Sequence, residues 1–505
     1  MPNRIKRVNP ENLRGKNAMR KLIENQLKIG QVDISNIQID INCRDEIPQL
    51  LLGLQEIYKD KEVRDQVFEI LENIVPENVD ANNGRPGMDL WKILVLGTIR
   101  LNCNWDYDKL HNISNNHMEV RCFLGHTHFD FDQTYPLQTI KDNICLLTPD
   151  VLDEINQVVV AGAHKKFCKD DEERLKGRCD SFVLETDVHY PTDINLLWDA
   201  IRKIILMISL VYDDLGITEW RQYKHILKRI KKEFDVVRRL KRSTSKDEKK
   251  RATKNQLIKD VHGGYVDLVE SYVKRARESI KILNEMGIGD VARLLMVEKY
   301  ADHAERQIDQ IRRRVLKGEK IPNHEKVFSI FEEHTEWISK GKAGVLQELG
   351  LGVCILQDQY GFILHHHVME KQKDVDIAVM MVTEAKRKFP TLSVCSFDRG
   401  YYSPKNRDDL QELLDRVVLP KKGKLSGKDK EIERSEAFIE SRRKHSAVES
   451  AINALENHGL DRCPDHGIIG FKRYVAISVL ARNIQNLGAK IREKELKRQR
   501  RKQAA

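Results

Sequence analysis

Three acidic residues stand out by position. Asp180 lies in the run Arg178-Cys179-Asp180-Ser181-Phe182-Val183-Leu184-Glu185-Thr186, which has the apolar, β-branched look of a strand. Asp398 follows a short apolar strand pattern, Leu392 to Phe397, at the turn Asp398-Arg399-Gly400. Glu449 lies in a helical pattern, Arg442-Arg443-Lys444-His445-Ser446-Ala447-Val448-Glu449. Taken singly, each has an ordinary reading: an aspartate at a strand end is usually structural, and a glutamate on a helix is usually solvated. Two strand acids and one helix acid can nevertheless converge on one edge of a sheet. Carboxylates brought together repel one another and lose hydration. Hard divalent cations relieve both costs, and Mg2+ or Mn2+ keeps water and phosphate oxygens as its remaining ligands. Two such ions about 4 Å apart serve in-line phosphoryl transfer, one at the attacking oxygen and one at the leaving oxygen. Asp187 and Asp193 compete with Asp180 for the first place. Asp193 reads better as a helix cap, and Asp187 lies in a segment that turns.

These acids need a sheet to hold them. The pattern Val353 to Leu356, a turn at Asp358 to Gly361, then Phe362 to His365 predicts a hairpin. Helices are expected over 374–388 and 406–414, with short strands at 392–397 and 417–419 between and after them. Alternation of this kind argues for an α/β sheet. Two long helices, 440–456 and 470–487, close it, and Lys490 to Lys502 reads as a basic helix or tail. Before the sheet, 1–85 is a helical N-terminal arm, and 86–170 is a helical block with a clear loop at Asn82 to Gly87. Both the arm and the block are compatible with DNA binding or dimerisation. Between the first strand and the hairpin, about 194–340 reads as long helices with Glu, Lys and Arg beside apolar stripes. The catalytic region therefore spans 171–489 with a large helical insertion, and 490–505 is a basic tail.

The chain has 505 residues, enough for about three to four domains. It is 32% charged and 40% hydrophobic, with 87 Lys and Arg against 77 Asp and Glu, a formal net charge of +10. This composition argues against collagen, a disulfide scaffold and wholesale disorder. It leaves a large, helix-rich basic chain whose natural partner is a polyanion. No stretch approaches the ~20 apolar residues needed to span a bilayer, and the first ten residues lack the apolar core of a secretory leader. Nine cysteines without a CxxC pair look like small hydrophobes in a reducing cytosol. Cys122 with His126 and His128 lacks a second ligand pair at zinc-finger spacing. The tract His365-His366-His367 places at most two imidazoles on one strand face and reads as surface structure. No P-loop and no Gly-x-Ser-x-Gly elbow occurs.

The segment from Asp180 through Tyr190-Pro191-Thr192-Asp193 to Leu197 resembles the first-aspartate block of bacterial DDE insertion-sequence transposases. Lys340-Gly341-Lys342 with Glu348-Leu349-Gly350 resembles that family's entry to the next strands. Asp398-Arg399-Gly400-Tyr401-Tyr402-Ser403 resembles the second-aspartate block, and Glu449 with Gly459 to Cys463 and Ala481-Arg482-Asn483-Ile484 resembles the glutamate block. The likeness runs from about 84 to 488, in order, with 51 residues between the last two acids. The subgroup that it most resembles is the longer ISNCY-type relatives of the transposases with a Tyr-Arg-Glu-Lys signature. Two departures stand out. His445 and Glu456 occupy the positions of that signature's Arg and Lys, and 218 residues separate Asp180 from Asp398, which implies an insertion. The resemblance favours Asp180 over Asp187 and Asp193, because the family's acid precedes Tyr-Pro-Thr-Asp by this distance.

The resemblance implies an RNase H-like α/β core in which Asp180, Asp398 and Glu449 are catalytic and hold two Mg2+, with Mn2+ able to substitute. It implies cleavage at the element ends and strand transfer into target DNA. Lys342, Arg399, Arg442, Arg443, His445 and Arg482 are candidate DNA contacts, and basic segments near 238–251, 421–430 and 490–502 are candidates for phosphate binding. The expected partners are terminal inverted repeats and target duplex DNA, with a homodimer or larger assembly joining two ends. The expected location is the bacterial cytoplasm, at the nucleoid. A metal-dependent nuclease without strand transfer, or an inactive DNA-binding repressor derived from a transposase, are the alternatives.

Overall fold

The computed structural model describes residues 18–504, except 24–26, 28, 76–84, 128–129, 131, 171–172, 241–243, 245 and 340–346. Most of the loop expected at 82–87, the Lys340-Gly341-Lys342 motif, and His128 therefore lie outside the described residues. The chain divides into two compact units, one made of residues 1–187 with 338–505 and the other of 188–337.

The first unit starts with a small parallel pair, β1 (Ala18–Met19) on β2 (Arg85–Pro86). Its helices are α1 (Glu46–Lys59), α2 (Lys61–Glu72), α3 (Leu90–Asn102), α4 (Tyr107–Asn116), α5 (Met118–Phe123), α6 (Leu137–Ile144) and α7 (Pro149–Phe167). Asp45, Asp60, Asp106 and Thr148 accept backbone N–H groups at the starts of α1, α2, α4 and α7, which sets where those helices begin. Every residue of α3 except Lys92 is buried, so it is the centre of the helical block. Then comes β3 (Leu175–Thr186).

The second unit holds α8 (Asp193–Asp214), α9 (Tyr223–Arg239), α10 (Glu248–Glu285) and α11 (Val291–Ile311) around a core of its own. Ile204, Ile205 and Ile208 are buried in α8, Trp198 stacks on Phe234 at 5.5 Å, and Trp220 donates to Ser279 Oγ at 3.0 Å.

The first unit resumes at Ile338, inside the strand β4 (Glu336–Ser339). β5 (Gln347–Gln357), β6 (Ile363–Met369), α12 (Asp374–Lys388), β7 (Leu392–Phe397), α13 (Pro404–Leu413), β8 (Arg416–Val418), α14 (Gly427–Arg434), α15 (Glu436–Leu455), β9 (Arg462–Cys463) and α16 (Gly467–Ala504) follow in order. The strand order is β4-β5-β3-β7-β8, with β6 on β5 and β9 on β3. β5 runs antiparallel to both β3 and β6, whereas β7 is parallel to β3 and to β8. The architecture is thus mixed α/β with a mixed sheet, and β3 is at its centre. The hairpin turn between β5 and β6 is organised by fully buried Asp358. Its Oδ1 accepts the N–H groups of Tyr360 and Phe362 at 2.8 and 2.9 Å, and its Oδ2 meets His164 Nε2 at 2.6 Å.

Residues 490–504 are helix, one of the two forms expected there, and continue α16. The buried first part of α16 crosses α1 at two glycines: a Cβ on Gly488 would stand 1.8 Å from Gln49 O, and one on Gly53 2.1 Å from Ile484 O. The histidine tract of β6 departs from the pattern read in the sequence and is half-buried rather than on the surface. Lys388 Nζ donates to His365 Nδ1 at 3.2 Å, His367 Nε2 lies 2.7 Å from Gln372 Oε1, and burial pushes the His366 imidazole down to about 4.

Candidate active site

Register places the two aspartates side by side. Cys179 of β3 pairs with Phe397 of the parallel strand β7, so Asp180 and Asp398 occupy the next positions on adjacent strands, which lie about 4.8 Å apart in a sheet. Asp398 precedes the short helical turn Arg399–Tyr401 and makes no side-chain cap bond there, so its exposed carboxylate is not consumed by the backbone. Buried Phe397 and Tyr401, with ring centroids 5.5 Å apart, anchor the chain on either side of it.

Glu449 arrives on α15, which packs against β3, β7 and β8. Phe438, His445, Val448, Ala451, Ile452 and Leu455 form the inward face, and Glu449 is exposed beside it. One turn before the glutamate, His445 Nδ1 lies 3.0 Å from Ser396 Oγ, which ties α15 to the strand that ends at Asp398. The other ring nitrogen, Nε2, is buried without a hydrogen-bond partner. Burial lowers the His445 pKa, while Asp398 and Glu449 pull it up.

Asp180 carries the clearest electrostatic mark of convergence. Its pKa is raised to about 6, first by burial and then by the charges of Asp398, Asp374 and Glu449, against the Ser181 N–H that it accepts at 2.8 Å. Asp398 and Glu449 are therefore each within Coulombic reach of Asp180, together with a fourth acid. Asp374 is the first residue of α12, and its Oδ1 accepts from Ser181 Oγ at 2.6 Å. Gly400 packs on its other oxygen so closely that a Cβ would stand 2.9 Å from Oδ2. In the sequence an acid in a helix's first turn reads as a dipole partner or cap. Here Asp376 takes the N–H of Lys373 at 2.9 Å, which leaves Asp374 free for Ser181. Arg178 was also missed. It sits two residues before Asp180, on the same strand face, and donates to Asp358 O at 3.0 Å.

The other candidates separate. Arg399 is exposed next to Asp398, and Arg442 and Arg443 are exposed on α15 about two turns before Glu449. Lys342 lies outside the described residues. Arg482 is half-buried in α16 with its guanidinium on Gln485 Oε1 at 2.6 Å, and it does not join the acids. Asp187 is exposed and paired with Arg462 at 2.8 Å. Thr192, not Asp193, caps α8, and Asp193 pairs with Arg314 at 2.7 Å. His126, from the Cys122 grouping, has Nε2 2.6 Å from Tyr135 Oη. Lys421 and Arg407 both pair with Asp429, so part of the basic loop after 420 is neutralised.

Four carboxylates, one of them with its pKa raised first by burial and then by its neighbours, are donors of the right kind for a hard dication. Their present spacing is open: among the described residues no three His, Cys, Asp or Glu side chains stand close enough to share one metal ion.

Residues 316–484 match the family model of the transposase DDE domain. Over that third of its length the chain is similar to a transposase DDE domain. The matched stretch contains Asp374, Asp398 and Glu449, while Asp180 precedes it and reaches the DDE domain through the pairing of β3 with β5 and β7. No curated protein and no solved structure matches the chain. Among the described residues no helix is long and apolar enough to cross a membrane.

Proposed function

We propose that the chain is an insertion-sequence transposase that cuts DNA at the element ends and joins the freed ends to target DNA. The observation that carries this is the parallel register that sets Asp180 beside Asp398, within a fold whose residues 316–484 match the transposase DDE domain; the Asp180 pKa, raised first by burial and then by the charges of Asp398, Asp374 and Glu449, agrees with it. The strand order β6-β5-β3-β7-β8, antiparallel on one side of β3 and parallel on the other, supports an RNase H-like core.

Asp180, Asp398 and Glu449 would hold two Mg2+, or Mn2+ in their place. When bound, these ions supply charge neutralisation and polarisation of the attacking and leaving oxygens. The protein's own part is positional. β3 and β7 fix the two aspartates in register, the His445 tie to Ser396 holds the helix of Glu449, and Ser181 with Gly400 holds Asp374 beside them. Water first attacks the phosphodiester at the element end, and the scissile P–O bond breaks to free a 3′-hydroxyl. That hydroxyl then attacks a target phosphodiester. One P–O bond forms for each that breaks, so joining needs no external energy source. Exposed Arg399, next to Asp398, and Arg442 and Arg443, about two turns before Glu449, would meet phosphate. The helical regions 1–85 and 86–170 serve DNA binding or dimerisation, since two ends must be brought together, and 171–489 is the catalytic region.

Labelled terminal-repeat duplex with Mg2+ tests this. Nicking with strand joining supports the transposase. Nicking alone makes the protein a nuclease, and binding without either makes it a repressor. Asp398→Asn that leaves both reactions intact would show the site to be elsewhere.

A further inference from the structure

The net charge of +10 is very unevenly distributed. Residues 221–259 hold 16 Lys and Arg against four Asp and Glu, so the remaining 466 residues are slightly acidic, 71 against 73. The excess is carried by α9 and the first turns of α10. On α9, Ile226, Ile230, Phe234 and Val237 are buried. Lys224, Lys228 and Lys232 recur at i, i+4 and i+8 on the exposed side, with Lys228 and Lys232 about 200° around the helix from Ile230. Lys228, Lys232 and exposed Arg239 have no ion-pair partner among the described residues.

The rest of the same unit is built the other way. Arg277 pairs with Asp302 and Glu305, Arg312 with Asp267 and Glu270, and Arg313 with Asp309, Glu319 and Glu325. Like charges at i, i+4 cost a helix a few tenths of a kcal/mol each, whereas opposite charges return as much. A helix that only had to close this bundle would alternate signs, as the later turns of α10 and α11 do. On α9 that pairing stops at Lys231 and Arg238, which share Asp235, and leaves out Lys228, Lys232 and Arg239.

We propose that the outer face of α9, with the first turns of α10, binds the phosphate backbone of duplex DNA. This rests on the proposed function for the identity of the polyanion only. Cations at i, i+4 are about 6 Å apart along the axis, and α9 is about 25 Å long. A duplex strand presents a charge every ~3.4 Å of its axis, so the stripe faces about seven phosphates of one strand. Lysine ammonium groups and a lone arginine on a solvated ridge grip phosphate without reading bases. The contact is independent of sequence and strongly dependent on salt.

The test uses the full chain and a fluorescein-labelled 40-base-pair duplex of mixed sequence, in EDTA, with anisotropy read between 50 and 300 mM NaCl. The triple variant Lys228→Gln, Lys232→Gln, Arg239→Gln is expected to bind at least about tenfold more weakly at 100 mM salt. Its slope of log K against log salt falls by about 2 to 3, near 0.9 for each phosphate released. A control, Lys274→Gln with Lys281→Gln, removes α10 lysines that already pair with Glu270 and Glu285 and leaves the slope unchanged. An unchanged slope in the triple variant, or an equal loss in the control, overturns the proposal. So does an RNA duplex or polyglutamate that displaces the DNA at a lower concentration than unlabelled DNA does. If the triple variant loses its helical circular dichroism, Lys228→Gln alone replaces it, with an expected fall in slope of about 0.9. Cleavage is silent in EDTA, so failure here leaves the metal-dependent nicking assay standing, and failure of that assay leaves this binding intact.

Discussion

The acid cluster of the first unit and the basic stripe of the second both gather like charges, but in different surroundings. Asp180 is half-buried in a central strand, and burial, then the charges of its neighbours, raises its pKa to about 6. Lys224, Lys228 and Lys232 stand in solvent on one helix, where water and salt screen their repulsion. Concentrating charge is costly where the dielectric is low and cheap where it is high. The first arrangement needs tertiary supports, such as the Ser181 hydroxyl on Asp374 and the His445 contact with Ser396. The second needs only a helical repeat.

The largest test of this contrast is Asp398→Asn. It is expected to lower nicking and joining by at least about a thousandfold, because the acids act on the reacting phosphate as a unit. Duplex binding in EDTA should not fall, since without metal the carboxylate does nothing to hold phosphate. Gly400→Ala should come next. The added methyl would press on Asp374 Oδ2 from 2.9 Å, and a displaced Asp374 should cost about ten- to hundredfold in nicking rate with little change in circular dichroism. Full activity in that variant would mean that Asp374 does not position the site.

Asp180→Asn reads the strain of the cluster directly. The folded-state pKa of about 6 is above the unfolded value near 3.9, so the stability that Asp180 contributes is fully present below about pH 3.9 and is lost as pH rises through 6. In EDTA at pH 7.5 the variant should be more stable than wild type by about 1 to 2 kcal/mol in urea unfolding, after allowance for partial exposure, and no more stable at pH 4. A gain that is the same at both pH values would contradict the electrostatic origin. The smallest effect belongs to the stripe: Lys228→Glu places an acid between Lys224 and Lys232 and should raise stability by only a few tenths of a kcal/mol. A gain comparable to that of Asp180→Asn would erase the distinction between the two regions.

Much of the sheet was legible because its strands are short apolar runs bounded by turn residues. The strand around Asp180, the hairpin at Asp358 to Gly361 and the strand ending at Phe397 all lie where the pattern predicts. Asp374 was not legible, since a first-turn acid has the same local sequence whether it caps a helix or faces another strand. The half-burial of His365 to His367 was equally hidden, because alternation along a strand says which residues share a face and not what covers it.

By itself the sequence determined the types and order of the acids, the strands and helices that carry them, and the place of the basic excess, for these are local properties of short windows. Only the tertiary structure decided that Asp180 and Asp398 are neighbours across a parallel pair, and that Ser181 reaches Asp374, 193 residues away. It also decided that an unpartnered histidine nitrogen lies on the inner face of the helix that bears Glu449. The physical reason is that a half-buried charge is governed by what surrounds it in space, and those groups come from strands and helices far apart in the chain.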